Sequence, residues 1–126
     1  MSDVALRLGE AERLLKEAEK ALNEGRYEEC CVSSCYAIFH TIRALASALG
    51  IGTKTVEDAA HVVCLHKDEI GFSRDDCSRI YRAMDIKSEI DGGYMRRVTR
   101  EVAESSLEDA KVIYDKAMEF IGKVEG

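Results

Sequence analysis

Basic side chains are concentrated between residues 79 and 100, where six Lys and Arg residues stand against three Asp and Glu residues. They are Arg79, Arg82, Lys87, Arg96, Arg97 and Arg100. The forked donors of Arg match phosphate oxygens, and the Gly92-Gly93 pair within the segment marks a turn beside which a ligand can lie. The segment could therefore hold a phosphate or a nucleic acid. The alternative is that these side chains pair with the acidic helices around them.

Thiols and imidazoles are a second source of chemistry. Cys31 and Cys35 are four residues apart and could share a metal ion with Cys30, His61 or His66. Structural zinc, however, is normally held by closely spaced pairs on turns, where all four ligands can converge. We predict small packing residues in a helix interface and no metal. A nucleophilic Cys needs partial exposure and a base, and the apolar stripe that includes Cys35 predicts burial.

Other patterns of catalytic or cofactor-binding residues are incomplete. A carboxylate di-iron bundle needs Glu-x-x-His on two helices, but the chain has only Asp58-x-x-His61. Gly50-Ile51-Gly52 lacks the rest of a dinucleotide-binding or P-loop pattern, so no cofactor is predicted. His40 lies between Tyr36 and Arg43 at spacings that place all three on one side of a helix. We interpret it as a core or interface histidine satisfied by a hydrogen bond.

Glycines divide the chain into helix-length pieces, because Gly commonly follows the end of a helix. We predict helices over about 3–24, 27–49, 55–70, 73–91 and 105–124. Ser73 with Asp76 and Ser105 with Glu108 resemble capping boxes. The structure of residues 94–104 is left open.

Apolar residues recur at spacings of three and four, as expected for helices with one buried face. The first helix has the stripe Val4, Leu8, Ala11, Leu15, Ala18 and Leu22. The second has such a stripe and is also apolar or small on its opposite side, which is typical of a helix between two partners. The last has the stripe Leu107, Ala110, Tyr114, Ala117, Ile121 and Val124. The pattern predicts an all-α fold, an antiparallel up-and-down bundle of four or five helices.

Length and composition are consistent with that fold. The 126 residues predict one domain over 1–126, and the chain contains no Pro. A net charge of −6 argues against a protein that coats DNA or a membrane surface. No secretory signal is apparent, and the apolar stretch 30–51 contains His40 and Arg43, which disfavours a membrane span. We expect a cytoplasmic protein with reduced thiols.

Three segments together resemble a known family. Gly25-Arg26-Tyr27-Glu28-Glu29-Cys30, then Cys35-Tyr36-Ala37-Ile38-Phe39-His40 and Arg43-Ala44-Leu45, are similar to the signature of HEPN domains in short stand-alone bacterial and archaeal proteins. Asp91-Gly92-Gly93-Tyr94 resembles a family turn, and Ser105–Val124 its closing helix. The resemblance covers about residues 5–124. It implies a four- or five-helix bundle, usually a homodimer, with a dimer or core signature of Tyr36, Phe39, His40 and Arg43.

The resemblance also implies a function and a place for it. Family members bind nucleotides or RNA, and many are encoded with a minimal nucleotidyltransferase as toxin–antitoxin or related pairs. Active members are metal-independent RNases with an Arg-x(4–6)-His motif at the dimer interface. At the matching place this chain has Lys87 and Tyr94. Lys can hold a phosphate as a point charge, but Tyr, with an ordinary pKa near 10, is a poor base at neutral pH.

Three hypotheses follow. The leading one is a non-catalytic binding module for nucleotide, RNA or a nucleotidyltransferase partner, with candidate residues Arg82, Lys87, Asp91, Tyr94, Arg96 and Arg97. The second is a divergent RNase that uses Lys87 and Tyr94. The third is a purely structural helical interaction protein whose Arg residues are all paired within the bundle.

Overall fold

The computed structural model describes residues 2–94 and 97–125 and places nearly all of them in helices. In that part of the chain the elements are α1 (Asp3–Asn23), α2 (Tyr27–Ala48), α3 (Val56–Leu65), α4 (Lys67–Ile70), α5 (Arg74–Asp91) and α6 (Arg100–Glu125). The predicted all-α bundle is confirmed. None of the described helices is long and apolar enough to cross a membrane.

Helix α2 is the centre of the bundle. It packs against α1, α3, α5 and α6, and its buried residues surround most of the helix, including Cys31, Ile38, Ile42 and Leu45. Its apolar residues on two sides are therefore explained by contacts within one chain. The buried face of α1 differs slightly from the predicted stripe.

On α1 the residues Leu14 and Ala21 are buried, whereas Leu15 and Leu22 lie at the edge of the core and are half-buried. The stripe predicted for α6 is buried at Leu107, Ala110, Ala117 and Ile121, while Val124 near the end of the chain is exposed. The predicted stripes are therefore confirmed in most of their positions on both helices.

Two predicted helix boundaries are wrong. The third predicted helix is divided at His66 into α3 and the single-turn α4, which ends at Gly71 with a positive φ of 92°. The last helix begins at Arg100, five residues before the predicted cap at Ser105. The Thr99 hydroxyl accepts from the backbone N–H of Val102 and so satisfies one free donor at this helix start. Ser105 is an exposed residue inside the helix.

The predicted capping box at the start of α5 is confirmed in both halves. The Ser73 hydroxyl accepts from the backbone N–H of Asp76, and the Asp76 carboxylate accepts from that of Ser73. The other end of α5 closes in a Schellman turn. The backbone N–H of Tyr94 donates to the Glu89 carbonyl, and that of Gly93 (φ 72°) to the Ile90 carbonyl.

Candidate functional site

A groove of about 630 Å³ opens between α2 and α5 and extends to the start of α3. Its walls combine aromatic and apolar side chains with a few charged groups. It is lined by Tyr36, Phe39, Val56, Glu57, Met84, Lys87, Ser88, Asp91, Gly92 and Tyr94. Three predicted site residues, Lys87, Asp91 and Tyr94, thus meet in one concave surface.

Lys87 is held in this groove by Asp91 and Tyr36. Its side chain is only 15% exposed, and its Nζ lies 2.5 Å from Asp91 Oδ2 and 5.0 Å from the centre of the Tyr36 ring. The hydrogen bond to Asp91 raises the pKa of the Lys87 ammonium above its ordinary value, against the effect of burial. The group is therefore a fixed positive charge over an aromatic face.

Two tyrosines supply exposed aromatic surface to the groove. Tyr36 is 42% exposed and meets Phe39 edge to face, with ring centroids 6.0 Å apart. Tyr94 is 83% exposed and lies just past the Schellman turn. Its ring lies beside Gly92, where a Cβ would come within 2.6 Å of it.

The predicted signature residues of α2 lie on the same surface. Tyr36 and Phe39 line the groove, and both also line an adjoining cavity of about 150 Å³ together with His40, Arg43, Val56 and Arg7 of α1. We call this adjoining cavity the arginine pocket. It continues the groove towards the C-terminal end of α2.

His40 departs from its predicted role as a hydrogen-bonded histidine. Its Nδ1 is buried and has no hydrogen-bond partner in the described part of the chain. Burial lowers the pKa of the His40 imidazole; Arg7 and Arg43 lower it further, and Glu10 opposes them. The arginine pocket therefore contains a neutral imidazole between two permanent cations.

The basic segment does not form one patch among the described residues. Arg82 donates two hydrogen bonds of 2.9 Å to Asp109 of α6, and Arg79 lies 3.2 Å from the same carboxylate. Arg100 pairs with Glu104 at 2.6 Å. These three side chains thus follow the alternative given above, in which the basic residues pair within the bundle.

The remaining predicted cations are Arg97 and Arg96. Arg97 is exposed and is not among the residues that line the groove. Arg96 lies outside the described residues. Of the predicted set, Lys87, Asp91 and Tyr94 come together, and Arg82 and Arg97 do not join them.

The cysteines of α2 are packing residues, as predicted. Cys30, Cys31 and Cys35 are buried, and the Cys35 thiol donates to the Ala83 carbonyl at 3.3 Å. Burial raises the pKa of the Cys35 thiol to about 12, so it is not a thiolate nucleophile. Within residues 2–94 and 97–125, no three His, Cys, Asp or Glu side chains are grouped as metal ligands.

The groove is suited to hold a planar ring and a nearby anion. The Tyr36 and Tyr94 rings offer stacking surfaces, and the Lys87 ammonium offers a point charge. Because its pKa is raised, Lys87 is protonated at neutral pH and cannot accept a proton from a substrate.

One residue of this surface is not indicated by any local sequence pattern. Arg7 lies on α1, far in sequence from α2, and its spacing from Asp3 indicates only an ordinary surface ion pair. Its position beside His40 and Arg43 results from the packing of α1 on α2, and no local pattern contains that information.

Comparisons with known proteins agree with this architecture. The model of the HEPN domain matches residues 4–121. A UPF0332 protein of Archaeoglobus fulgidus is 34% identical over 123 residues, which cover 98% of each chain. With the family model matched along almost the whole bundle, from α1 to α6, the chain belongs to the HEPN domain family.

Proposed function

We propose that this protein binds a nucleotide, free or as a unit of single-stranded RNA, in the groove between α2 and α5. The observation that carries the proposal is the Lys87 ammonium fixed between Asp91 and the Tyr36 ring, with Tyr94 lining the same groove.

The aromatic walls support a base as the bound ring. Stacking of a nucleobase on an aromatic side chain contributes about 1–3 kcal/mol and depends little on sequence. Tyr36 and Tyr94 are the exposed tyrosines that line the described groove. Lys87 adds a charge that attracts the phosphate side of the same nucleotide.

The proposal does not include catalysis by this chain. An RNase of the family type needs a proton acceptor beside the phosphate, and protonated Lys87 does not supply one. The RNase hypothesis predicts RNA cleavage that survives EDTA and is lost in Lys87→Ala. Cleavage of that kind by the purified protein would replace the proposal of a non-catalytic module.

The test is binding of a fluorescein-labelled single-stranded 12-mer RNA to the purified protein, followed by fluorescence polarisation, with unlabelled AMP as competitor. Tyr94→Ala and Lys87→Met should each weaken binding about tenfold, because each removes one stacking or charge contact. Lys87→Met keeps the apolar stem of the partly buried side chain and removes only its charge.

The matched control is Arg100→Gln. It removes a positive charge from the same basic segment but lies at the start of α6, outside the groove. Equal affinity of wild type, Tyr94→Ala and Lys87→Met would overturn the proposal, as would the absence of RNA and AMP binding at low salt.

The structural hypothesis has its own support, because Arg79, Arg82 and Arg100 are already paired. It predicts no affinity for nucleotide or RNA in the assay above. The homodimer and the minimal nucleotidyltransferase partner implied by the family stay predictions. Sedimentation equilibrium tests the first, and a pull-down with the protein as bait tests the second.

A further inference from the structure

The arginine pocket brings together two residues with unsatisfied buried polar atoms. The atoms are Nδ1 of His40 and Nε of Arg43, which have no hydrogen-bond partner within the described residues. Buried polar groups are almost always hydrogen-bonded, to protein or to something bound, so each exception calls for an explanation. Here the two residues that contain these atoms line one small cavity.

The charge of the surface is also uneven along its length. In the described groove, Lys87 is accompanied by the carboxylates Asp91 and Glu57. The side chains that line the arginine pocket include two cations, Arg7 and Arg43, and no carboxylate. Even when Asp3, the partner of Arg7, is counted, the arginine pocket has the more positive charge of the two, so an anion is held better there than beside Lys87.

Both guanidinium groups are held in place but keep free donors. Arg43 Nη2 donates to the Lys54 carbonyl at 2.9 Å, which holds the side chain against the loop before α3. Arg7 uses its Nε for Asp3, and the Asp3 carboxylate also accepts from the Ser47 hydroxyl at 2.8 Å. A guanidinium has five N–H donors, so each Arg has donors left for an anion.

We propose that the arginine pocket is a phosphate-binding subsite, in which Arg7, His40 and Arg43 hold the phosphate of the nucleotide whose base lies against Tyr36 and Tyr94. Neutral His40 donates one N–H in this arrangement, and the two Arg side chains supply the charge. Its volume of about 150 Å³ corresponds to about five water molecules, enough for a tetrahedral oxyanion.

The spacing along α2 fits a ligand that spans both cavities. His40 and Arg43 lie four and seven residues after Tyr36, which is about 6 and 10 Å along a helix axis. Tyr36, Phe39 and Val56 line both cavities, so the two adjoin. The nucleotide part of this inference rests on the proposed function, whereas the phosphate subsite is tested without it.

The experiment is an NMR titration of protein labelled only in its histidines, at one fixed pH and constant ionic strength. The chain has three histidines, so a His40→Gln variant assigns the His40 signal directly. Inorganic phosphate is the first probe, with sodium chloride as the control salt. A saturable shift of His40 with phosphate, and none with chloride, is expected.

Two variants test the arginines. Arg7→Gln changes a partly exposed ion pair and should fold normally, and it should weaken phosphate binding about tenfold. Arg43→Lys retains the positive charge but loses the forked donors of the guanidinium, so it should also weaken phosphate binding. Arg100→Gln has the same charge change far from the pocket and should bind like wild type. Equal phosphate binding by wild type, Arg7→Gln and Arg43→Lys would overturn the inference, as would a non-saturating His40 shift.

Adenosine, AMP and the labelled 12-mer RNA distinguish the sources of the phosphate. AMP or RNA, but not adenosine, should shift His40 and compete with inorganic phosphate. RNA binding that is lost in Tyr94→Ala but unchanged in Arg7→Gln would overturn the subsite and leave the proposed function standing. A saturable phosphate response of His40 without any binding of AMP or RNA would support the subsite and overturn the proposed function.

Discussion

Tyr94 is positioned by the glycine two residues before it. A Cβ on Gly92 would lie 2.6 Å from the Tyr94 ring and 3.2 Å from the Ser88 carbonyl. The backbone of Gly92 is in the ordinary right-handed region, so the steric conflict is with the exposed ring and not with the backbone angles. Gly92 thus keeps open the space that the ring occupies.

We expect Gly92→Ala to displace the Tyr94 ring, to weaken RNA binding several-fold, and to change the free energy of unfolding by less than about 0.5 kcal/mol. Gly93→Ala is the matched control. It adds the same methyl group at a positive φ of 72°, so it should cost about 1 kcal/mol by urea unfolding. Its Cβ meets nothing within 4 Å. Unchanged RNA affinity in Gly92→Ala would contradict this role of the ring.

His40 makes stability depend on pH. Burial lowers the pKa of His40 in the folded protein, and the positive charges of Arg7, Arg43 and Arg13 lower it further. The negative charge of Glu10 opposes these effects. The folded state therefore binds fewer protons than the unfolded chain. The stabilisation is fully present above the ordinary pKa of 6.5 and is lost as pH falls through the lower folded value.

Urea unfolding at pH 7.5 and 5.5 checks this dependence. The wild type should lose more stability on acidification than His40→Gln, by less than the limit for one proton of about 1.4 kcal/mol per pH unit. His61 and His66 are common to both proteins and cancel. Equal pH dependence of the two proteins would show that His40 is not the group responsible.

At the scale of elements, α5 and α6 are joined by a carboxylate between two guanidiniums. Asp109 is 5% exposed and pairs with both Arg79 and Arg82. We expect Asp109→Asn to lower the free energy of unfolding by about 1–3 kcal/mol, because it removes the counter-ion of Arg82 and leaves Arg79 with Asp76 alone.

RNA affinity should not change in Asp109→Asn, since this cluster lies outside the groove. Asp115→Asn is the control, an exposed carboxylate on the same helix, and should change stability by less than about 0.5 kcal/mol. Equal unfolding midpoints of the two variants would contradict the stabilising role of the cluster.

Local patterns predict the helices where a cap and an apolar stripe agree. The stripe of α2 and the Ser73 cap of α5 are both found. At α6 the pattern of Ser105 and Glu108 imitates a cap, but the cap that forms is Thr99, earlier in the chain. The choice between two acceptable caps depends on packing of Val98 and Ala103 in the core, which no local pattern shows.

Only part of the candidate site could be predicted from the sequence, because local patterns do not show tertiary packing. Lys87, Asp91 and Tyr94 are close in sequence and come together in the structure. Arg82 and Lys87 are five residues apart, which places them about 140° apart around the helix. They face α6 and α2 respectively, so a basic segment does not become a basic patch. Arg7 joins the site only through tertiary packing.

The whole molecule has a net charge of −6, so any electrostatic attraction to RNA comes from a small group of cations at one place on its surface. Contacts at Lys87 and at the arginine pocket amount to about two phosphates. The logarithm of the binding constant should then fall with the logarithm of salt concentration with a slope of about −1.4, at about −0.7 per phosphate for single strands.

A salt series of RNA binding for wild type and Arg7→Gln measures this slope. The variant should show a slope shallower by at most about 0.7, and the Arg100→Gln control should match the wild type. A slope of zero in the wild type would show that no phosphate is contacted.

The burial of three thiols in α2 has a kinetic consequence. A thiol reacts with an alkylating reagent only when water and reagent reach it, and Cys30, Cys31 and Cys35 lie where only opening of the central helix exposes them. Cys77 is half-buried and should be modified first, in the native state. Cys64 is also half-buried, but burial and the Cys77 thiol raise the pKa of the Cys64 thiol to about 12, so it should react more slowly than Cys77. Mass spectrometry of the protein in excess iodoacetamide should therefore show these two adducts in turn and the last three together, at the rate of global opening. The rate at which these three thiols are alkylated thus reports the rate of unfolding, and a nucleotide that binds the groove should lower it.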